Sequence, residues 1–284
     1  MISSTLMITE DRRKQIDFSD PYMRLGASVF ALKSNLYGNQ SETESEGWSF
    51  SGLWSGITEN FYNNIIVENR YLLILDGLKV TIIIAVLSTL FGTLLGGLIC
   101  FMRMSRSKFL LIPAKVYISL LRGTPVLVIL MIIFYVVFAS VDIAPELVAV
   151  IAFGLNFAAY VSEMYRSGIE GIDAGQTEAG IAMGFTKVQT FLYIVMPQAV
   201  KRILPVYRGE VISMVKMTSI VGYIAVQDLT KASDIIRSRT FDAFFPLIMV
   251  AVLYYLIAWL LMALLGYLEK VTDTKYKARN GGVQ

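Results

Sequence analysis

The sequence predicts an all-α membrane protein with about five transmembrane helices and a short non-membrane N-terminal extension. Three observations carry this. Of 284 residues, 55% are apolar and only 17% charged, with a mean hydropathy of +0.60, whereas globular domains hold roughly 45–50% and about 25%. Several stretches are apolar for the ~20 residues that a helix needs to cross ~30 Å of hydrocarbon. Lysine and arginine, finally, gather in alternate connections between those stretches, as the positive-inside rule requires.

Residues 1–37 are polar and mixed, too poor in apolar side chains to build a core alone. Residues 38–71 hold a Ser-, Glu-, Asn- and Gly-rich linker, then Trp54, Ile57, Phe61 and Ile65 at helical spacing. That spacing suits an interfacial helix at the outer surface or a plain continuation of the linker. The membrane domain, 72–270, contains the expected spans Val80–Met102, Gly123–Val141, Leu147–Tyr165, Gly209–Val226 and Ala243–Leu268. The fourth carries Glu210 and Lys216 and is a span only if these face protein or a polar cavity. Arg103, Arg106, Lys108, Arg166, Lys187, Lys201, Arg202, Arg208, Lys270, Lys275, Lys277 and Arg279 fall on one side, and Lys231, Arg237 and Arg239 on the other. This puts the N-terminus outside and the basic tail, 271–284, in the cytoplasm.

Composition also excludes chemistry. There is no histidine, and Cys100 is the single cysteine, so Ser–His and Cys–His dyads, histidine-ligated metals and internal disulfides are ruled out. No catalytic residue, metal site or cofactor bound by this chain is expected. A net charge of +3 gives no footprint for nucleic acid. The chain lacks a Gly-Lys dipeptide and hence a phosphate-binding loop of the G-x-x-x-x-G-K-S/T type.

The cytoplasmic stretch 167–202 is longer than a span connection needs. Thr177–Phe185 and Val188–Val195 have helical spacing, Gly184 supplies the turn between them, and Pro197 is expected to end the second piece. Two short helices at the membrane surface suit docking into a partner's groove, or packing on their own bundle. Glu178-Ala179-Gly180, then Gly184, then Ile194, Met196 and Pro197 resemble the EAA loop of ATP-binding-cassette importer permeases. That pattern runs E-A-A, three residues, G, nine residues, I-x-L-P, with Gly180 and Met196 departing here from alanine and leucine. The resemblance implies a type I ABC importer permease (MetI-like) fold in a bacterial plasma membrane. It also implies a second permease copy, identical or related, and a separate cytoplasmic ATPase dimer that carries ATP and magnesium. Glu178, Ala179, Gly184 and Pro197 would be the coupling residues.

Further motifs narrow the likeness to the polar amino acid branch. Arg122-Gly123-Thr124-Pro125 resembles R-G-T-P, Ala159-Tyr160-Val161-Ser162-Glu163 resembles A-Y-x-x-E, and Gly175-Gln176-Thr177-Glu178-Ala179 resembles G-Q-x-E-A. Lys216-Met217-Thr218-Ser219 resembles K-D-T-S with methionine in place of aspartate. An amino acid zwitterion needs partners for its ammonium and its carboxylate when it leaves water. Glu163 and Ser162 are candidates for the first, and Lys216, Thr218, Ser219 and Thr124 for the second. Alternatively, Glu163 pairs with Arg166 one turn away, and Lys216 snorkels or pairs with Glu210.

Residues 8–22, ITEDRRKQIDFSDPY, resemble a signature of extracellular solute-binding receptors for amino acids, some of which are fused to their permease. About thirty residues match where a two-lobed receptor needs over two hundred. Either the chain starts inside a longer fused gene or the domain has decayed. The sequence is thus expected to be the permease subunit of an ATP-driven importer of polar amino acids, with a solute-binding receptor as a further partner. The alternative is an amino-acid-gated channel or receptor, which would need a filter-like pore segment and leaves the EAA-like loop unexplained.

Overall fold

The computed structural model describes residue 58 and residues 60–272, with side chains as far as Tyr267. The receptor-like residues 8–22, Trp54 and Ile57 of the expected interfacial helix, and the basic tail from 273 onward lie outside the described residues. What is described is helical throughout, without a strand, and falls within one compact unit, Phe50–Gln284.

A single π turn, Tyr62–Ile66, leads through a short 3-10 segment, Val67–Asn69, to α1, Tyr71–Arg103. Glu68 and Asn69 take left-handed backbone angles between them, φ 57° and 53°, so the chain bends sharply before α1. Asn64, a polar residue between Phe61 and Ile65, is buried. Its amide donates to Asp242 Oδ2 at 2.9 Å and to the Asn60 carbonyl at 2.9 Å.

At 33 residues, α1 is about 50 Å long and starts nine residues before the expected span. Two short helices follow, α2 (Lys108–Gly123) and α3 (Val126–Ile132, continued by a π turn to Val137). They meet at a bend of 110°. The second span expected at Gly123–Val141 is therefore corrected: Gly123 ends one helix rather than opening a span. Thr124 and Pro125 are extended, with ψ 136° and 134°, because the residue before a proline avoids α-helical angles. α4, Pro145–Glu170, begins with proline in its first turn, where the missing N–H costs nothing.

Helices α5 (Ala174–Ala182), α6 (Lys187–Thr190) and α7 (Met196–Met217) follow, with a π turn, Phe191–Val195, joining the last two. Beyond α7 a 3-10 segment, Thr218–Ile224, and a left-handed Ala225 at φ 63° break the helix before α8, Leu229–Thr240. The fourth span expected at Gly209–Val226 is thus a longer bent pair, turning by 54°. α9, Phe244–Thr272, closes the fold. Three helices, α1, α4 and α9, can each cross a bilayer alone, and there are five spans if each bent pair counts as one.

α4 is the central helix. Val148, Ala149, Phe153, Phe157, Ala158, Ala159 and Val161 have no exposed surface, because α1, α2, α3 and α7 all pack against it. Its contacts with α1 ascend in parallel: Ser88 donates to the Val150 carbonyl, Gly92 faces Gly154 and Phe157, and Gly96 faces Val161. Lipid tails are as apolar as leucine, so close backbone approach, not hydrophobicity, drives such pairing. Ser88, Gly92 and Gly96 recur every four residues and form the flat stripe that permits it. α7 runs the other way, with Thr93 Oγ1 2.6 Å from Tyr207 Oη and Gly168 against Ile203. At the far end, buried Asp228 caps α8 by accepting from the Thr230 and Lys231 amides at 3.0 and 2.9 Å. Tyr254 of α9 donates to the same carboxylate at 3.1 Å.

A Cβ on Gly92 would lie 2.7 Å from the Gly154 carbonyl oxygen, whereas one on Gly97 meets nothing nearer than Tyr165 at 3.9 Å. Gly92→Ala is expected to cost about 1–3 kcal/mol through forced separation of α1 and α4. Gly97→Ala is expected to be neutral or slightly stabilising, as read by thermal unfolding of the purified protein in detergent.

Candidate coupling surface and translocation path

The stretch between α4 and α7 is built from local capping. Asp173 precedes α5 and accepts from the Gly175 amide at 2.9 Å, satisfying one of the orphan donors of a helix start. The other end closes with Gly184 at φ 89°, the Gly184 amide on the Ile181 carbonyl at 2.9 Å and the Phe185 amide on the Gly180 carbonyl at 3.1 Å. This paired arrangement needs a left-handed residue at the first position past the cap, which glycine adopts without strain. Thr186 and Gln189 then cap α6 reciprocally, at 3.3 and 2.9 Å.

Pro197 does not end this second piece. The Met196 amide reaches back five residues to the Phe191 carbonyl, so a wide turn precedes the proline, which then sits in the first turn of α7. There its lack of an N–H and its fixed φ are tolerated, and the helix runs on. Gln198, next in the chain, donates to Gln176 Oε1 at 3.1 Å and so ties α5 to the start of α7.

Gly180 is buried, and a Cβ there would lie 2.6 Å from Thr190 Cγ2 and 2.8 Å from Ile194 Cδ1. Glycine at the third position of the EAA-like motif is therefore matched by Thr190, which takes the space a methyl group would fill. Glu178, Ala179, Gly184 and Pro197 are exposed. Around them Met183, Val188 and Tyr193 are 76, 66 and 69% exposed. Together they form an exposed apolar surface on a pair of capped helices, the kind of patch at which proteins dock partners.

The six candidate path residues do not converge. Thr124 lines a cavity of about 410 Å³ at the α2–α3 break, together with Arg122, Pro125, Asn156, Tyr160, Glu210, Ser213 and Met217. Glu163 lies elsewhere, its carboxylate bonded to Arg166 at 2.7 Å and 3.4 Å from Arg103 Nε, which joins the end of α1 to α4. Ser162 and Thr218 are buried and donate to carbonyls three residues back, Ala159 at 2.8 Å and Val215 at 2.7 Å. Ser219 does the same to Lys216 at 2.8 Å. Lys216 is exposed and forms no ion pair among the described residues, Glu210 included. Its neighbour Met217 is the member of that motif that reaches the cavity. The sequence does not single out Asn156 and Ser213, and it marks Arg122 and Glu210 only as a motif residue and a charge in an apolar run, because only the sharp α2–α3 bend brings the four together.

The cavity is also where the broken backbone is satisfied. The Leu121 carbonyl, freed by the break, accepts from Asn156 Nδ2 at 3.0 Å. Irregular backbone at membrane depth is tolerated only with such partners. Two outcomes follow from this geometry. Gly180→Ala is expected to destabilise by about 1–3 kcal/mol, and Thr190→Ala in the same chain to recover most of the loss, so that a double-mutant cycle in thermal unfolding shows coupling. Glu163→Gln, which deprives two arginines of their carboxylate, is expected to lower the melting temperature more than Glu170→Gln does, since Glu170 meets Arg166 alone.

Comparison with known proteins agrees with this architecture. The family described as "binding-protein-dependent transport system inner membrane component" matches residues 88–273. The putative glutamine transport system permease protein GlnP of Rickettsia felis is 33% identical over 208 residues, 72% of this chain and 94% of that protein. The L-cystine transport system permease protein TcyB of Bacillus subtilis is 34% identical over 218 residues, 76% of this chain and 93% of that one. Among solved structures, an amino acid ABC transporter crystallised with histidines is 33% identical, with a TM-score of 0.65 over 78% of this chain and 98% of the other. The MetNI methionine ABC transporter, 19% identical with a TM-score of 0.63 over 72% of this chain and 99% of the other, shares the fold. The chain belongs to the binding-protein-dependent transport system inner membrane components, as a permease subunit with the MetI-like fold of ABC importers.

Proposed function

We propose that this chain forms the translocation path of an ATP-driven amino acid importer and transmits the work of a separate ATPase dimer, which holds ATP and magnesium. The observation that carries the reading is the exposed apolar surface of α5 and the α6–π segment, presented on caps that hold it rigid. Glu178 and Ala179 occupy the open face of α5, Gly184 sets the angle between the two pieces, and Pro197 lies where the second piece enters α7. A tilt imposed on this surface passes directly into α7, because α6, the π turn and α7 form one continuous helix. The relatives named for glutamine and cystine, and the histidine-bound transporter, support an amino acid as cargo.

The path runs beside the α2–α3 break, with Thr124 facing it. Ser162, Thr218 and Ser219 keep the helices in shape around it, Glu163 holds α1 to α4, and Lys216 projects from α7 toward a second copy or the lipid. The N-terminus lies outside and the C-terminus in the cytoplasm, because the lysine and arginine excess flanks the coupling helices. Residues 1–37 descend from a solute-binding receptor, and residues 38–71 tether that extension to the membrane domain, 72–270.

The test is co-purification with the cytoplasmic ATPase. Met183→Glu together with Tyr193→Glu is expected to abolish retention of the ATPase while leaving the melting temperature within a few degrees of the parent. Glu178→Ala is expected to lower amino-acid-dependent ATP turnover about tenfold, near 1.4 kcal/mol of coupling. Full retention and full turnover in these variants would refute the coupling assignment.

A further inference from the structure

A second cavity, of about 790 Å³, opens between α1, the end of α4 and the start of α7. Its lining is apolar apart from Thr93, Ser105 and the phenols of Tyr165 and Tyr207. Along α1 it runs from Thr93 to Met104, about 17 Å at the helical rise. That is close to one leaflet of a ~30 Å hydrocarbon core. At the deep end Thr93 and Tyr207 meet at 2.6 Å. Gly97 keeps the floor open, since a Cβ there meets nothing nearer than Tyr165 at 3.9 Å. Phe191 and Met196, from the coupling segment, supply part of the wall.

The shallow end is basic. Arg106 and Lys108 follow Ser105 closely, are exposed and form no ion pair among the described residues. Arg202, between the lining residues Val200 and Ile203, donates to the Gly171 carbonyl at 2.6 Å, a bond that leaves its charge unneutralised. The acids on the adjoining stretch of α4 are already spent, Glu163 on Arg103 and Arg166 and Glu170 on Arg166. Helix α2 starts at the same place without a side-chain cap and adds the positive end of its dipole. An apolar slot one leaflet deep, with positive charge at its rim, fits an acyl chain below a phosphate.

We infer that this cavity binds an anionic phospholipid of the leaflet that faces the coupling helices, an inference that rests on the importer reading above. One acyl chain lies along Gly97 and Phe101, against Ile203 and Leu204 of α7. The phosphate sits at the rim among Arg106, Lys108 and Arg202. Basic pockets between membrane helices favour anionic headgroups, and each lysine or arginine near the surface adds to the attraction. Phosphatidylcholine brings its own ammonium to the same rim and gains less. Because Phe191 and Met196 belong to the wall, a tilt of the coupling segment that moves α7 against α1 changes the width of the slot. A bound chain therefore favours the arrangement that holds it, and lipid occupancy is linked to turnover.

The experiment is native mass spectrometry of the chain with the ATPase that co-purifies, released from nanodiscs of equal parts dioleoylphosphatidylglycerol and dioleoylphosphatidylcholine. Phosphatidylglycerol is expected to stay bound at least about tenfold more often than phosphatidylcholine. Gly97→Phe fills the slot from a position with room for a side chain. It is expected to remove one retained phosphatidylglycerol per permease copy, with the melting temperature held. Arg106→Gln together with Lys108→Gln, both at the surface, is expected to cut the preference to less than about threefold. Amino-acid-dependent ATP turnover of the parent is expected to be about fivefold higher in phosphatidylglycerol than in phosphatidylcholine nanodiscs, and alike in both for Gly97→Phe. Equal retention of the two lipids, unchanged retention in a folded Gly97→Phe protein, or tighter retention of added oleate overturns the inference. So does a change in the number of permease copies in the Gly97→Phe complex, which would put a second copy in the groove. If Gly97→Phe does not fold, the surface pair decides. Failure of the lipid ranking with the ATPase still bound refutes the site alone. Loss of the ATPase in both lipids with the ranking intact refutes the importer reading and supports the lipid site.

Discussion

Everything in this membrane domain hangs on how closely α1 and α4 approach. In hydrocarbon no solvent drives helices together, so the gain must come from contact between backbones and small side chains. Ser88, Gly92 and Gly96 lie against Val150, Gly154 and Val161 with no room for an added methyl at Gly92. This contact makes α4 the axis of the fold, and α2, α3 and α7 then bury its remaining faces. α9, by contrast, keeps Tyr255, Trp259 and Leu264 on an open surface, as suits a helix facing lipid or a second subunit.

A second constraint follows from the first. Two of the five segments are broken, and their freed carbonyls and amides have no water to turn to in the membrane interior. The axis supplies partners for one break, with Asn156 donating to the Leu121 carbonyl. The outer bundle supplies them for the other, with Asp228 accepting from the first amides of α8 and Thr81 from the Leu229 amide at 3.2 Å. The polar cavity at the first break is thus a consequence of satisfying the backbone. The same economy appears at the coupling surface, where caps and a glycine turn meet the polar groups of short helices and leave their apolar side chains free for a partner.

Much of this was legible in the chain of letters, and the exceptions are instructive. α1, α4 and α9 were plain as apolar runs, and the Gly184 turn followed from the one residue type that takes φ 89° without strain. Pro197 misled, because proline stops a regular α-helix but not one that has already widened into a π turn. The second span misled as well: its apolar run outweighed the Gly-Thr-Pro sequence at which Gly123 closes one helix and the chain turns by 110°. Glu163 and Lys216 stood out as charges in apolar surroundings, yet one is spent on two arginines and the other faces outward. The charges that share a cavity, Arg122 and Glu210, sit 88 positions apart, and nothing in either segment says that they meet.

The sequence alone determined that this is a helical membrane protein, which end of it is basic, and where a pair of short helices lies between two spans. Those properties are local: hydropathy over twenty residues, charge beside a span, and capping residues within a turn of one another. Only the tertiary structure decided which polar groups meet, because a 110° bend and a 54° bend rotate whole helices and reassign the neighbours of every residue on them. Composition set the solvent in which the chain folds, while the bends and the packing around α4 decided which of its few charges pair with protein and which line a cavity.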